Sequence, residues 1–148
     1  MAKDLNLYVD EVCVNIRCGA IMRSGDDVVL EVSRVGVNSV IPGGRIKINE
    51  SSRDAIKREM LEEMGIAIRD DALSFVTVLE NFFEYNSIPV HEIFFIYEYN
   101  LDKEEVSIIN ALCGNNDNST TYFKFVDKNA IEGYDLLPLT LHRIINNK

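Results

Sequence analysis

Apolar and polar residues alternate through much of this chain, and the alternation gives way wherever a turn or a helix intervenes. Residues 11–22 and 28–35 are dense in apolar, largely β-branched positions on either side of Ser24-Gly25-Asp26-Asp27, which predicts two strands joined in a hairpin. Strand character resumes at 39–41 and is stopped by Pro42-Gly43-Gly44. Residues 75–101 read as two further strands joined around 85–89. In the second, a period of two puts His91, Ile93, Phe95, Tyr97 and Tyr99 on one face and Glu92, Phe94, Ile96 and Glu98 on the other. A polar, loop-like stretch at 114–120 precedes a last strand at 121–126.

Between these strands the period lengthens to that of a helix. Ile56, Met60 and Met64 recur every four residues with Leu61 further round, an apolar stripe that suits a buried face. Ser51 or Ser52 caps the start, and Ser51 with Asp54 has the spacing of a capping box. Gly65 suits the left-handed position that ends a helix. Pro138 introduces a closing helix through Ile145, with Leu139, Leu141, His142 and Ile145 as a mixed stripe. The pattern as a whole is α+β or α/β.

Composition narrows the class. With 148 residues, 47% of them apolar, the chain has the content of one globular domain, 1–148, and not comfortably of two. No run of eighteen uncharged apolar residues and no basic-then-apolar leader stands in it, so the expectation is a cytoplasmic protein without a membrane span. Cys13, Cys18 and Cys113 are odd in number and form no C-x2-C pair, which favours buried reduced thiols. The net charge of −9, with lysine and arginine scattered, argues against a nucleic acid polymer as partner and for a small phosphorylated substrate accompanied by metal counterions. Arg17, Arg23, Arg34 and Arg45 are candidates to meet its phosphates, and Arg45 is favoured because it adjoins Gly44.

Candidate chemistry concentrates on the first helix. Glu59, Glu62 and Glu63 fall within an arc of roughly 100°. Like charges at such spacing cost an isolated helix about 0.2 to 0.5 kcal/mol per pair, so a cation that neutralises them is one explanation and a solvated acidic face is the other. The context decides between them. From Gly44 to Ile66 the chain reads GRIKINESSRDAIKREMLEEMGI, which fills every glycine, glutamate and arginine position of G-x5-E-x7-R-E-U-x-E-E-x-G-U, with U a bulky aliphatic and Met60 a mild departure at the first U. This segment resembles the signature box of the Nudix hydrolase family.

The resemblance implies an α/β/α sandwich around a mixed β-sheet and metal-dependent hydrolysis of a pyrophosphate bond in a nucleoside diphosphate linked to another moiety. It makes Glu59 and Glu63 direct ligands of Mg2+ or Mn2+, with Glu62 a further one, and clustered carboxylates are what such hard cations take. It gives Arg58 the task of orienting the glutamates, and Glu50 that of supporting the metal site or the loop. Gly43 or Gly44 offers a backbone carbonyl. The general base varies within the family; Glu80, Glu84, Glu92 and Glu98 lie outside the box, and Glu92 is the favoured candidate. Family members run from hydrolases of nucleoside triphosphates to those of ADP-ribose, dinucleotides and nucleotide sugars, and often form homodimers. A noncatalytic nucleotide-binding module on the same scaffold is the alternative, but such a module is expected to have lost box glutamates that this chain keeps.

Overall fold

The computed structural model describes residues 2–147. Its elements, in chain order, are β1 (Asn6–Val9), β2 (Val12–Ser24), β3 (Asp27–Ser33), β4 (Ser39–Val40), β5 (Gly43–Arg45), α1 (Ser52–Met64), β6 (Leu73–Tyr85), β7 (Ile88–Asn100), α2 (Lys103–Ala111), β8 (Thr121–Asp127) and α3 (Thr140–Asn146), with short 3-10 turns at Asp70–Ala72 and Ile131–Tyr134.

One mixed eight-stranded sheet organises them. Its main path runs β4-β3-β2-β7-β6. The long strand β2 lies parallel to β7, Cys13 to Arg23 against Val90 to Asn100, and along its other edge it meets β1, β5 and β3 in succession. A strand has only two hydrogen-bonding edges, so this succession means that the β2–β3 hairpin splays apart. It holds only at Arg23↔Val28 and Ser24↔Asp27, after which β5 occupies the edge of β2 and β4 that of β3. The segment around Pro42 is thus wedged into an opening of the sheet, and open α/β sheets place ligands where neighbouring strands diverge.

Helices cover both faces. On one, α1 and α2 pack Ala55, Ile56, Met60, Met64 and Ile109 against Cys18, Ala20, Met22, Tyr97 and Tyr99. On the other, α3 packs Leu141 and Ile145 against Ile21, Leu30, Phe94 and Ile96. This is the α/β/α sandwich with a mixed sheet that the sequence led us to expect. The period-two reading of β7 holds as well, with Tyr97 and Tyr99 in the first layer and Phe94 and Ile96 in the second.

Several local expectations change. Strand β3 ends at Ser33 instead of 35, because the Ser33 hydroxyl accepts the backbone N–H groups of Val35 and Gly36 and turns the chain, leaving Val35 exposed. Leu61 is exposed because it lies beyond the edge of the apolar stripe of α1, and Leu139 is exposed because it precedes α3 instead of lying within it. Cys13 and Cys18 are buried thiols as expected, but Cys113 is exposed in the loop after α2. Strand β1 and helix α2 were absent from the sequence reading. Ser51 caps α1 through a hydrogen bond from the Asp54 backbone N–H, and Gly65 ends it at φ 72°.

Candidate active site at the wedge of the sheet

Helix α1 runs beside the opening, and Gly43 and Gly44 let the two approach. A Cβ on Gly44 would stand 2.5 Å from Glu59 Oε1, so only glycine admits the glutamate there. Gly43 is tight for another reason: a Cβ would lie 2.7 Å from Gly19 Cα and closer still to the Cys18 carbonyl, in the backbone of the paired strand. The Cys18 thiol hydrogen-bonds to the Gly44 carbonyl, and burial pushes its pKa up to about 12.

Arg58 ties the loop to the helix. Its guanidinium donates to both oxygens of Glu50 at 2.7 and 2.9 Å, to Glu59 at 2.9 Å, to Glu62 at 3.3 Å and to the Arg45 carbonyl at 3.0 Å. Five donors in a planar fork allow one side chain to serve so many acceptors. Glu50 also accepts the Lys47 backbone N–H at 3.0 Å. Its hydrogen bonds from Arg58 hold the Glu50 carboxyl below the usual glutamate range. Arg58 and Glu50, to which the resemblance gave orienting and loop-supporting tasks, thus lie hydrogen-bonded to each other between the loop and the helix.

Glu63 has different company. It is 5% exposed, its Oε1 accepts from Asn115 Nδ2 at 2.9 Å, and its Oε2 is buried with no hydrogen-bond partner among the described residues. Asn115 Nδ2 also donates to Glu31 Oε2 at 2.9 Å, so one amide spans two buried carboxylates. Burial, and then the charge of Glu31, push the Glu63 carboxyl up to about 8. Burial also raises that of Glu59, against the pull of Arg58, with Glu62 and Asp117 adding negative charge. Glu62 is the most exposed of the three.

Sequence reasoning missed Glu31, Asn115 and Asp117. A signal existed for the first, since Glu31 interrupts the apolar run of β3 on the same face as the core residue Val29. None existed for Asn115, which reaches Glu31 across 84 positions of chain. The stretch 114–120 does border the carboxylates: the Glu63 carbonyl accepts the Asn116 N–H, and Asp117 faces Glu59 electrostatically.

Not every candidate converges here. Glu92 alternates onto the opposite face of the sheet, where Oε2 accepts from Asn15 Nδ2 at 2.9 Å, and Asn15 Oδ1 accepts from Arg45 Nε at 3.0 Å. Glu98 pairs with Arg23 at 2.9 Å on that same face, and Glu80 sits on the exposed strand β6 beside His91. Beside Glu92 opens a cavity of about 670 Å³ whose lining includes Arg17, Asn81, Phe83, Phe94 and Leu139. Arg17 stacks its guanidinium 4.9 Å from the Phe94 ring centre and has a buried, unpartnered Nε, while its charge reaches Glu63. It thus lines the cavity while its charge acts on the Glu63 carboxylate of α1, whereas the Arg45 side chain is exposed and donates to Asn15.

Among the described residues no group of three acidic, histidine or cysteine side chains already converges at metal-ligating spacing; Arg58 bridges Glu59 and Glu62, and Asn115 bridges Glu31 and Glu63. The donor set nonetheless fits a hard divalent cation. Glu63 Oε2 is an orphaned buried acceptor beside Glu59 and Glu31, a concentration of negative charge that such a cation neutralises.

Comparison with known proteins bears on the family and the fold. A family model described as the NUDIX domain matches residues 15–140. Among solved structures, a MutT protein from Bacillus halodurans superposes with a TM-score of 0.69 at 17% identity, over 88% of this chain and 79% of that one. A MutT protein from Methanosarcina mazei Go1 gives 0.62 at 18% over 95% of each chain, and the Ap4A hydrolase of Caenorhabditis elegans gives 0.56 at 16% over 90% and 96%. At such identities the likeness speaks for the fold. Comparison with curated proteins gave no match.

Proposed function

Since this chain belongs to the Nudix family of pyrophosphate hydrolases, we propose that it cleaves a phosphoanhydride in a nucleoside diphosphate linked to another group, using Mg2+ or Mn2+ held by Glu59 and Glu63 with a further contact from Glu62. The observation that carries the reading is the Glu63 carboxyl, buried beside two other carboxylates with one oxygen unsatisfied. A cation there would neutralise the negative charge that burial concentrates on Glu63 beside Glu31 and Glu59.

When bound, the metal supplies charge neutralisation for the diphosphate, polarisation of a phosphoryl oxygen and a more acidic water. The chain's own residues do the positioning. Arg58 fixes Glu59 and Glu62 relative to the glycine strand, and Asn115 fixes Glu63. Arg17, unpartnered at Nε and stacked on Phe94, meets the phosphate on the nucleoside side, and the cavity beyond it takes the nucleoside. Water attacks one phosphorus in line with the leaving phosphate, which departs with its attached group. Since Glu92 lies on the other face, the proton of that water passes to a carboxylate on the α1 side, where Glu31, Glu62 and Asp117 remain beside the two principal ligands.

The reading takes residues 1–148 as one hydrolase domain acting in the cytoplasm. It is supported by free cysteines and by the absence, among the described residues, of a helix long and apolar enough to cross a membrane. Its test is product identification from a panel of nucleoside triphosphates, ADP-ribose, dinucleotides and nucleotide sugars, with and without Mg2+, for the wild type, Glu59→Gln and Glu63→Gln. Metal-dependent release of a monophosphate by the wild type alone supports it. Wild-type turnover by both variants overturns the ligand assignment.

A further inference from the structure

We propose that Glu92 and Asn81 form a recognition edge in the cavity on the far face of the sheet, selecting nucleobases that carry an exocyclic amino group. This rests on the reading that the cavity takes the nucleoside end of the substrate.

The argument begins with strand register. Asn81 of β6 stands directly opposite Glu92 of β7, so the two side chains emerge together on one face, within about 5.5 Å at Cβ. Both line the cavity, whose walls combine apolar Leu79, Phe83, Phe94 and Leu139 with Arg17, Asn38, Glu80 and Glu84, of which Glu80 alternates onto the other face of β6. Apolar walls with a few convergent polar groups are what a flat, edge-polar ligand requires.

Glu92 is locked. It is 4% exposed, and its Oε2 accepts from Asn15, whose own oxygen is taken by Arg45 Nε and, at 3.3 Å, by Asn6 Nδ2. Asn15 therefore presents its N–H to Glu92 and cannot turn over without losing both of its other bonds. Glu92 Oε1 accepts no hydrogen bond among the described residues, and the Asn81 amide makes none either. A carboxylate only accepts, so a ligand atom facing Oε1 must bring a hydrogen.

The neighbours of the donor sharpen the requirement. A carboxylate also accepts from a ring N–H, but in an oxo base that N–H is flanked by a carbonyl whose oxygen faces the carboxyl. An amino group at the rim donates to Glu92, whereas a carbonyl there sets two oxygens against each other. Asn81, with both a donor and an acceptor, accommodates whichever ring atom lies alongside. A hydrogen bond to a charged acceptor corresponds to about ten- to a hundredfold in affinity.

Equilibrium binding in Mg2+ of AMP, GMP and CMP, against IMP, XMP and UMP as their respective oxo counterparts, tests this on the whole chain and independently of which group the substrate carries beyond its phosphates. At least one amino-bearing nucleotide is expected to bind ten- to a hundredfold tighter than its counterpart. Glu92→Gln, which keeps the acceptor for Asn15, is expected to bring that ratio near one. In hydrolysis of the preferred substrate it is expected to raise KM while leaving kcat within a few-fold. Equal binding of amino and oxo nucleotides by the wild type overturns the proposal without any variant, as does an unchanged ratio in Glu92→Gln. A fall in kcat alone would place Glu92 in the chemistry and equally overturn it. Hydrolysis without base preference sinks this proposal and spares the hydrolase reading, whereas base-selective binding without hydrolysis does the reverse.

Discussion

Glu59 occupies the space that a side chain on Gly44 would fill, with Oε1 only 2.5 Å from where a Cβ would stand. The glycine is therefore a condition for the position of the carboxylate, beyond any need of the backbone.

Gly44→Ala is expected to cost little stability, since the atoms it meets are the end of a flexible side chain, but to cost activity heavily. A displacement near 1 Å in a positioned group costs about a hundredfold. Gly43→Ala meets backbone instead, and overpacking of that kind costs about 1 to 3 kcal/mol. Thermal melts and metal-dependent turnover of the two variants should separate, with the first folded and impaired and the second destabilised.

Asn115 holds two carboxylates with one amide. Asn115→Leu removes both hydrogen bonds and leaves Glu31 and Glu63 facing each other without a mediator. The metal-free variant is expected to melt lower than the wild type, by about 1 to 3 kcal/mol for the lost partners, and saturating Mg2+ should recover part of the difference. Equal melts with and without metal would contradict the placement of the cation beside Glu63.

The Glu50–Arg58 pair predicts an acid limb. Hydrogen bonding from Arg58 depresses the Glu50 carboxyl in the folded state, so its contribution is complete above the ordinary value of 4.5 and is lost as the pH falls through the lower, folded value. Glu50→Gln should be less stable than the wild type at neutral pH. The gap between the two should narrow as melts are taken below about pH 4.5, and a constant gap would refute the assignment.

Thiol reactivity offers a check on the fold. Cys113 is exposed, whereas Cys13 is buried and burial holds the Cys18 thiol near 12. Mass analysis after alkylation at neutral pH should show one modification in the native protein and three after denaturation.

How far the sequence could be read depends on the range of the interactions involved. Helix α1 was legible because its signals are local: Ser51 and Gly65 at its ends, Ile56, Met60 and Met64 on its inner side. Helix α2 carries a local signal too, since Asp102 and Glu105 form a complete capping box. It buries only Glu105 and Ile109, too thin a stripe to register as a helical period. Strand β1 is mostly exposed and so alternates weakly. Arg58, Glu50 and the box glutamates were assigned within one contiguous segment. Glu31, Asn115 and Asp117 were not, because what makes them matter is the return of a distant loop onto the helix. Glu92 was read onto the correct face of β7, but which face α1 would cover is a fact of topology that alternation does not contain.

The sheet itself acts as a partition. The box carboxylates hang from one side and the cavity opens on the other, with β2 as the shared wall and Arg17 lining the cavity while its charge reaches Glu63. On the proposed reading, exchanges in β6, the margin of β7 or the segment before α3 would retune which molecule is admitted without disturbing how it is cut. A scaffold divided in this way invites diversification of its clientele around a constant reaction.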